Sequence, residues 1–395
     1  MQKLTNQERL RPWMGFVLFG FMMAVFVTLC AWMQQNWGMV GLVLTELILA
    51  AIAIGFCLIR KVKISEVLPI KKITVRDFFG CVILLISTYM ISMASVMLTA
   101  FIFPDSAAEA NALGSFLYDG TYGLIPLLLI VALLPATCEE IFHRGAVLST
   151  FRSLDKEWIA VILVGLFFSI NHLSILRGPF TFILGAVFAY VVIKKNNILL
   201  TMMMHFMVNS FSVCLTYFVL SNTEMEASSM SLEVGLDTVG LYTALMFLAP
   251  VLFVTGKMLL MPETHKNKHF AIAGIISAAM LIGGIVIMML GSKQSLFSAN
   301  GPLDMSEGEV KTFDGICIQE EDDYTIVVVI TGSEGNFRVE VKDENGEVAC
   351  GGNMDTSMMQ IYNSTVRLDE GEISIDIISL SGDPGQNASY SIAVK

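Results

Sequence analysis

Three short clusters of polar side chains interrupt otherwise apolar stretches of the chain: Glu139-Glu140 with His143-Arg144, Phe168 with Asn171-His172, and His205 with Asn209. A charged group inside a membrane span costs about 2.5–3.5 kcal/mol on insertion scales, so such residues are expected to pair or to act. Glu140 and Arg144 are four apart and share a helix face, the spacing of an ion pair that carries both charges into the membrane. Glu139 is turned about 100° from Glu140, where Arg144 serves it less well. An unpaired carboxylate in apolar surroundings suits a general base, a metal ligand or a proton relay. His172 and His205 each have a partner four residues away on the same face, Phe168 and Asn209. The Asn209 amide has the chemistry to orient a water or stabilise an oxyanion, and equally to bond a neighbouring helix. His143 reads as incidental, at a cytoplasmic turn, and His265 and His269 as solvated in a basic loop. Such a set fits hydrolysis by an activated water, a transporter's proton relay, or a non-catalytic immunity or scaffold protein.

The elements that must position these groups are membrane helices. Of 395 residues, 55% are hydrophobic and 15% charged, against about a quarter charged in soluble domains. About 20 apolar residues span a bilayer, and nine segments come near that: 13–33, 39–59, 79–103, 122–142, 158–173, 180–193, 198–220, 239–259 and 270–290. The fifth and sixth are short, so eight or nine helices are expected, with the first an uncleaved span. Lys and Arg collect in cytoplasmic loops. Arg60 to Arg76, Arg152 and Lys156, Lys194 and Lys195, and Lys257 to Lys268 all fall on one side. Asp105, Glu109, Asp119, Glu224, Glu226, Glu233 and Asp237 fall on the other. This places the N-terminus in the cytoplasm and the C-terminus outside it. Depth adds a constraint: Glu139 and His172 reach a common level only if the fourth helix continues to Phe151. They then lie within roughly 3 Å in depth, with His205 about 15 Å in.

The last stretch is different. From Asp304 onward there are 19 acidic and 5 basic residues, a balance that argues against nucleic acid as a partner. Period-two alternation at 324–330, 337–341, 373–380 and 390–394, with turn signals at Gly332, Asn345-Gly346, Gly351-Gly352 and Gly382 to Gly385, predicts a small antiparallel β-sandwich. The predicted fold is therefore an all-α polytopic membrane domain of 8–9 helices followed by an all-β sandwich. Its parts are N-terminal helices (1–120), a core (121–220), further helices (221–291), a linker (292–308) and the sandwich (309–395). Cys317 and Cys350, the tail's two thiols, form the candidate disulfide if the tail lies in an oxidising compartment. A sandwich without evident catalytic residues is expected to bind an extracytoplasmic partner or to serve as a spacer.

Taken together, Glu139-Glu140…Arg144, Phe168…His172 and His205…Asn209 resemble the EExxxR, FxxxH and HxxxN motifs of the CAAX prenyl protease and bacteriocin-processing (CPBP, or Abi) peptidases. They occur in that order over roughly residues 122–220. The resemblance implies peptide-bond hydrolysis within the bilayer on a membrane-associated peptide or protein. Glu139 would activate the water, assisted by His172. His205 and Asn209 would bind a metal or stabilise the oxyanion, while Glu140, Arg144 and Phe168 support the site. A divalent metal, zinc first among them, would take Glu139, His172 and His205 as its three ligands. The HExxH of zinc proteases and the GxSG and GxGD signatures of other intramembrane proteases are absent from the sequence. Basic inside loops and an external sandwich point to a multi-pass protein of a bacterial cell membrane.

Overall fold

The structure, a computed structural model, describes residues 10–107, 121–222, 234–264, 267–291, 296–303, 305–331, 335–354, 359–381 and 389–394. Glu109, Asp119, Glu224, Glu226, Glu233, His265, Lys266, Gly332 and the turn at 382–385 lie outside them. The chain divides into two compact units, Met1–Gly291 and Ser292–Lys395.

The first unit is helical, and seven of its described helices are long and apolar enough to cross a membrane. The first of these, Pro12–Ile59, holds 48 residues and folds back on itself at Gly38, where φ is 51°. A Cβ on Gly41 would lie 2.2 Å from the Met33 carbonyl oxygen, a closeness that residues eight apart in a straight helix never reach. Residues 12–37 (α1) and 39–59 (α2) are therefore two crossings, with Leu18, Phe19 and Met22 packed in one cluster with Leu49 and Ala53. Next come α3 (Val75–Ile102), α4 (Leu124–Phe151), α5 (Glu157–Asn171), α6 (Gly178–Lys195), α7 (Ile198–Asn222), α8 (Leu236–Leu260) and α9 (Asn267–Gly291). The expected eight-to-nine-helix domain is what the described residues form. At 15 residues, α5 reaches about 22 Å, short of the ~30 Å hydrocarbon core.

Helix α4 does run on to Phe151, as the depth argument required. Pro135 lacks the N–H an α-helix interior needs, and the preceding turns widen into a π-helix at Leu128–Leu133. A second π-segment, Ile141–Val147, begins directly after Glu140; such widened turns are common at functional sites. Helices α5 and α6 approach closely because Gly165 and Gly185 face each other's helix: a Cβ on Gly185 would sit 3.0 Å from the Phe168 Cβ.

The second unit is two four-stranded antiparallel sheets, ordered β1-β8-β3-β6 and β2-β7-β4-β5. The strands are β1 (Phe297–Pro302), β2 (Val310–Ile318), β3 (Asp322–Thr331), β4 (Asn336–Lys342), β5 (Val348–Met354), β6 (Met359–Leu368), β7 (Gly371–Ser381) and β8 (Ser389–Val394). Alternate residues from both sheets, among them Ile326, Val328, Phe337, Val339, Ile375, Ile377 and Ile392, form one buried core. The four alternating runs are β3, β4, β7 and β8. Three expectations are corrected. Residues 297–302, read as linker, are β1. Gly351-Gly352, read as a turn, lies within β5, where a Cβ on Gly351 would come 2.7 Å from the Val339 carbonyl oxygen. Cys317 and Cys350 are both free thiols. They sit on β2 and β5, opposite edges of one sheet, three strand spacings or about 14 Å apart, beyond the reach of a disulfide. Cys350 instead hydrogen-bonds with Tyr362, whose hydroxyl is pushed up to about 12 by burial and by that neighbour. With its own core, a fragment of residues 292–395 is expected to fold in water and melt in one cooperative transition by circular dichroism. A fragment without sheet signal would show that this core depends on the membrane unit.

Candidate active site

The site is assembled from four elements. Helix α4 contributes Glu139, Glu140, His143 and Arg144; α5 contributes Phe168 and His172; α6 contributes Gly185 and Phe188; α7 contributes His205 and Asn209. Glu140 and Arg144 are fully buried and paired at 2.8 Å through Oε1 and Nη1. The guanidinium also donates to the Gly185 carbonyl at 3.2 Å and lies 4.2 Å above the Phe168 ring. A planar, forked cation is what these three contacts require together.

Glu140 Oε1 also meets His205 Nδ1 at 3.1 Å. A carboxylate only accepts, so Nδ1 carries a proton, and Nε2 is the nitrogen left for another partner. That nitrogen faces Glu139 Oε2 at 3.8 Å, too long for a hydrogen bond but close enough for one water to touch both. Glu139 Oε2 is buried with no hydrogen-bond partner. His172 is arranged in the same sense: Nδ1 donates to the Phe168 carbonyl at 2.8 Å, leaving its Nε2 bare. It caps the end of α5, after which Leu173 takes a left-handed backbone conformation, φ 47°. A leucine there is strained by about 1–2 kcal/mol.

Phe168 is the shared surface. Its ring stacks under Arg144 and meets His172 at 4.9 Å, His205 at 5.7 Å and His143 at 5.3 Å between centroids. Asn209 follows His205 by one helical turn and is half-buried. The seven residues named from the sequence thus lie on α4, on α7 and at the end of α5. Among the described residues, no three His, Cys, Asp or Glu side chains come close enough together to hold a metal ion.

His143 needs correction: it is fully buried, its ring nitrogens lack partners, and Phe19, Phe142 and Phe168 surround it. The longer α4 moves it from a solvated turn into the bundle. Sequence reading also missed Gly185 and Phe188, apolar residues of α6 without a motif to mark them. It missed Glu46 as well, although a carboxylate within the apolar run 39–59 was a visible signal. Glu46 is 6% exposed, Oε2 has no partner, and the carboxyl is near enough to Glu139 for the two to interact electrostatically. Arg177, before α6, acts likewise on Glu139 and His172.

Fold and site together are those of a polytopic membrane protein with a buried carboxylate–imidazole centre. Residues 121–211 match the family described as Type II CAAX prenyl endopeptidase Rce1-like, the stretch that carries the three motifs, in keeping with the resemblance read from them. No curated protein matches the chain. A solved structure, the C-terminal CBM6 of LamC, a marine laminarinase from Zobellia galactanivorans, aligns with 26% of this chain and 94% of its own length. The identity is 16% and the TM-score 0.19.

Proposed function

We propose that the protein is an intramembrane endopeptidase that hydrolyses a peptide bond of a membrane-associated substrate, using a water activated by Glu139. The observation that carries this reading is the asymmetry between two adjacent glutamates. Glu140 is committed through Oε1 to Arg144 and His205, with only its Oε2 unpartnered, whereas Glu139 makes no hydrogen bond through either oxygen and its buried Oε2 faces His205 Nε2 at 3.8 Å. A water between Glu139 and His205 would lose a proton to the carboxylate as its oxygen attacks the scissile carbonyl, and Glu139 would pass that proton to the leaving amine as the C–N bond breaks. In this reading His172 assists that proton transfer and Asn209 donates to the oxyanion. Glu140, through Nδ1, fixes the tautomer and orientation of His205.

A second reading, zinc or another divalent metal on Glu139, His172 and His205, would require those side chains to draw closer together than they stand, and is favoured by one feature. Each histidine gives its Nδ1–H to an oxygen and leaves Nε2 bare, as metal-bound histidines do. Such a metal would polarise the scissile carbonyl.

The test is peptide profiling of whole envelopes from cells carrying wild type or Glu139→Ala, with metal analysis of both purified proteins. Peptides produced only by wild type support the protease reading and identify the substrate. Identical profiles from two equally folded proteins would instead favour an immunity or scaffold protein.

We further propose that the basic helix ends face the cytoplasm and that the β-sandwich lies outside, free to bind a substrate or another envelope component. Cys317 is exposed on that sandwich. A membrane-impermeant maleimide should therefore label Cys317 in intact cells, and Cys317→Ser should remove the label. Labelling only after lysis would reverse the orientation.

A further inference from the structure

A second concavity lies apart from the carboxylate–imidazole centre, between α3, α8 and α9. It is a groove of about 390 Å³, walled by apolar residues such as Phe253, Ile272, Ala273 and Ile276, with Lys257 and His269 among its lining residues. Those two basic residues stand at the end where α8 passes over to α9. From His269 to Met280, the last lining residue on α9, is eleven residues or about 16 Å of helix. That is close to half of the ~30 Å hydrocarbon core. The groove therefore has the depth of one leaflet, apolar walls along its length and the Lys257 cation with the His269 imidazole at one end. Its surroundings reinforce that sign. Arg76 reaches across to the Met258 carbonyl, and Lys268 is exposed beside His269. Of the nearby acids, Asp77 is taken up by Lys195 at 2.7 Å, and Glu263 is exposed in the connection.

We propose that this groove binds one anionic phospholipid of the adjoining leaflet, its phosphate against Lys257 and His269 and an acyl chain along Phe253, Ala273 and Ile276. Charge complementarity selects the headgroup, because a basic side chain near the surface attracts anionic lipid. The matched depth selects a lipid over a free anion, which would leave the apolar wall unused. The proposal stands whether or not the protein is a protease.

The measurement is native mass spectrometry of the full chain in detergent, stripped of lipid and then given phosphatidylglycerol or phosphatidylcholine with the same acyl chains. Wild type should retain one phosphatidylglycerol and little phosphatidylcholine. Lys257→Ala should weaken retention about fivefold, the equivalent of one basic contact, while Lys257→Arg should bind like wild type. Ile276→Trp, which fills the groove from a partly exposed position, should weaken it without touching the charge. Equal retention of the two lipids would overturn the proposal. So would full retention by Lys257→Ala and Ile276→Trp, a loss shared by Lys257→Arg, or displacement of the lipid by inorganic phosphate.

Discussion

Glu139→Gln is expected to lower proteolysis by about 10²–10⁴-fold, the usual worth of a positioned general base, while the chain stays folded. The amide keeps the shape of the side chain and can still touch a water, but it cannot accept the proton. Fold should survive because Glu139 makes no ion pair or hydrogen bond under 3.5 Å; His205 Nε2 lies 3.8 Å from its Oε2. The experiment needs the substrate found by profiling, turnover of that substrate in detergent or liposomes, and a melting curve on the same preparation. A variant within tenfold of wild type would place the base elsewhere in the site, with Glu46 the first alternative, since it too has an unpartnered buried oxygen.

Arg144→Met should have the largest effect on stability, a loss of about 3–5 kcal/mol, as expected when one partner of a buried ion pair is removed. The side chain is fully buried, and its loss would strand the Glu140 carboxylate in an apolar bundle. It would also empty the space between Phe168 and Phe188, over whose rings the guanidinium lies at 4.2 and 5.2 Å. Arg144→Lys restores a charge but not the fork that reaches both Glu140 and the Gly185 carbonyl, so it should recover only part of the loss. The double variant Glu140→Leu/Arg144→Met should be more stable than Arg144→Met alone, because the Glu140 carboxylate is then no longer stranded without its partner. Denaturation in mixed micelles would measure all three. If Arg144→Met melted like wild type, the pair would contribute no stability, and its place in the site would need another explanation.

The membrane class and the order of helices were legible because lipid leaves little choice: a backbone in hydrocarbon must bond to itself, so apolar runs of sufficient length become helices. The sandwich was half legible. Strands β3, β4, β7 and β8 supply the alternating core and announced themselves, whereas β1, β2, β5 and β6 occupy the four sheet edges, where one side of the strand is unpaired and the pattern is weaker. In β5 the glycine pair imitated a turn.

Within the site, the Glu140–Arg144 pair followed from helical spacing alone, since both residues lie on one helix and four residues set their distance. The contact of Glu140 with His205 did not, because it joins residues 65 apart through the packing of α4 on α7. Nor did the assignment of free and committed oxygens between Glu139 and Glu140, which depends on where α7 stands. His143 was misplaced for the same reason: its environment is decided by how far α4 continues and by Phe19 from the first helix. The sequence by itself determined which residues enter the membrane and which share a helical face, because local geometry repeats every 3.6 residues. Only the tertiary structure decided which of those faces meet, because interhelical packing is set by close-approach positions such as Gly165 and Gly185, which no periodicity marks.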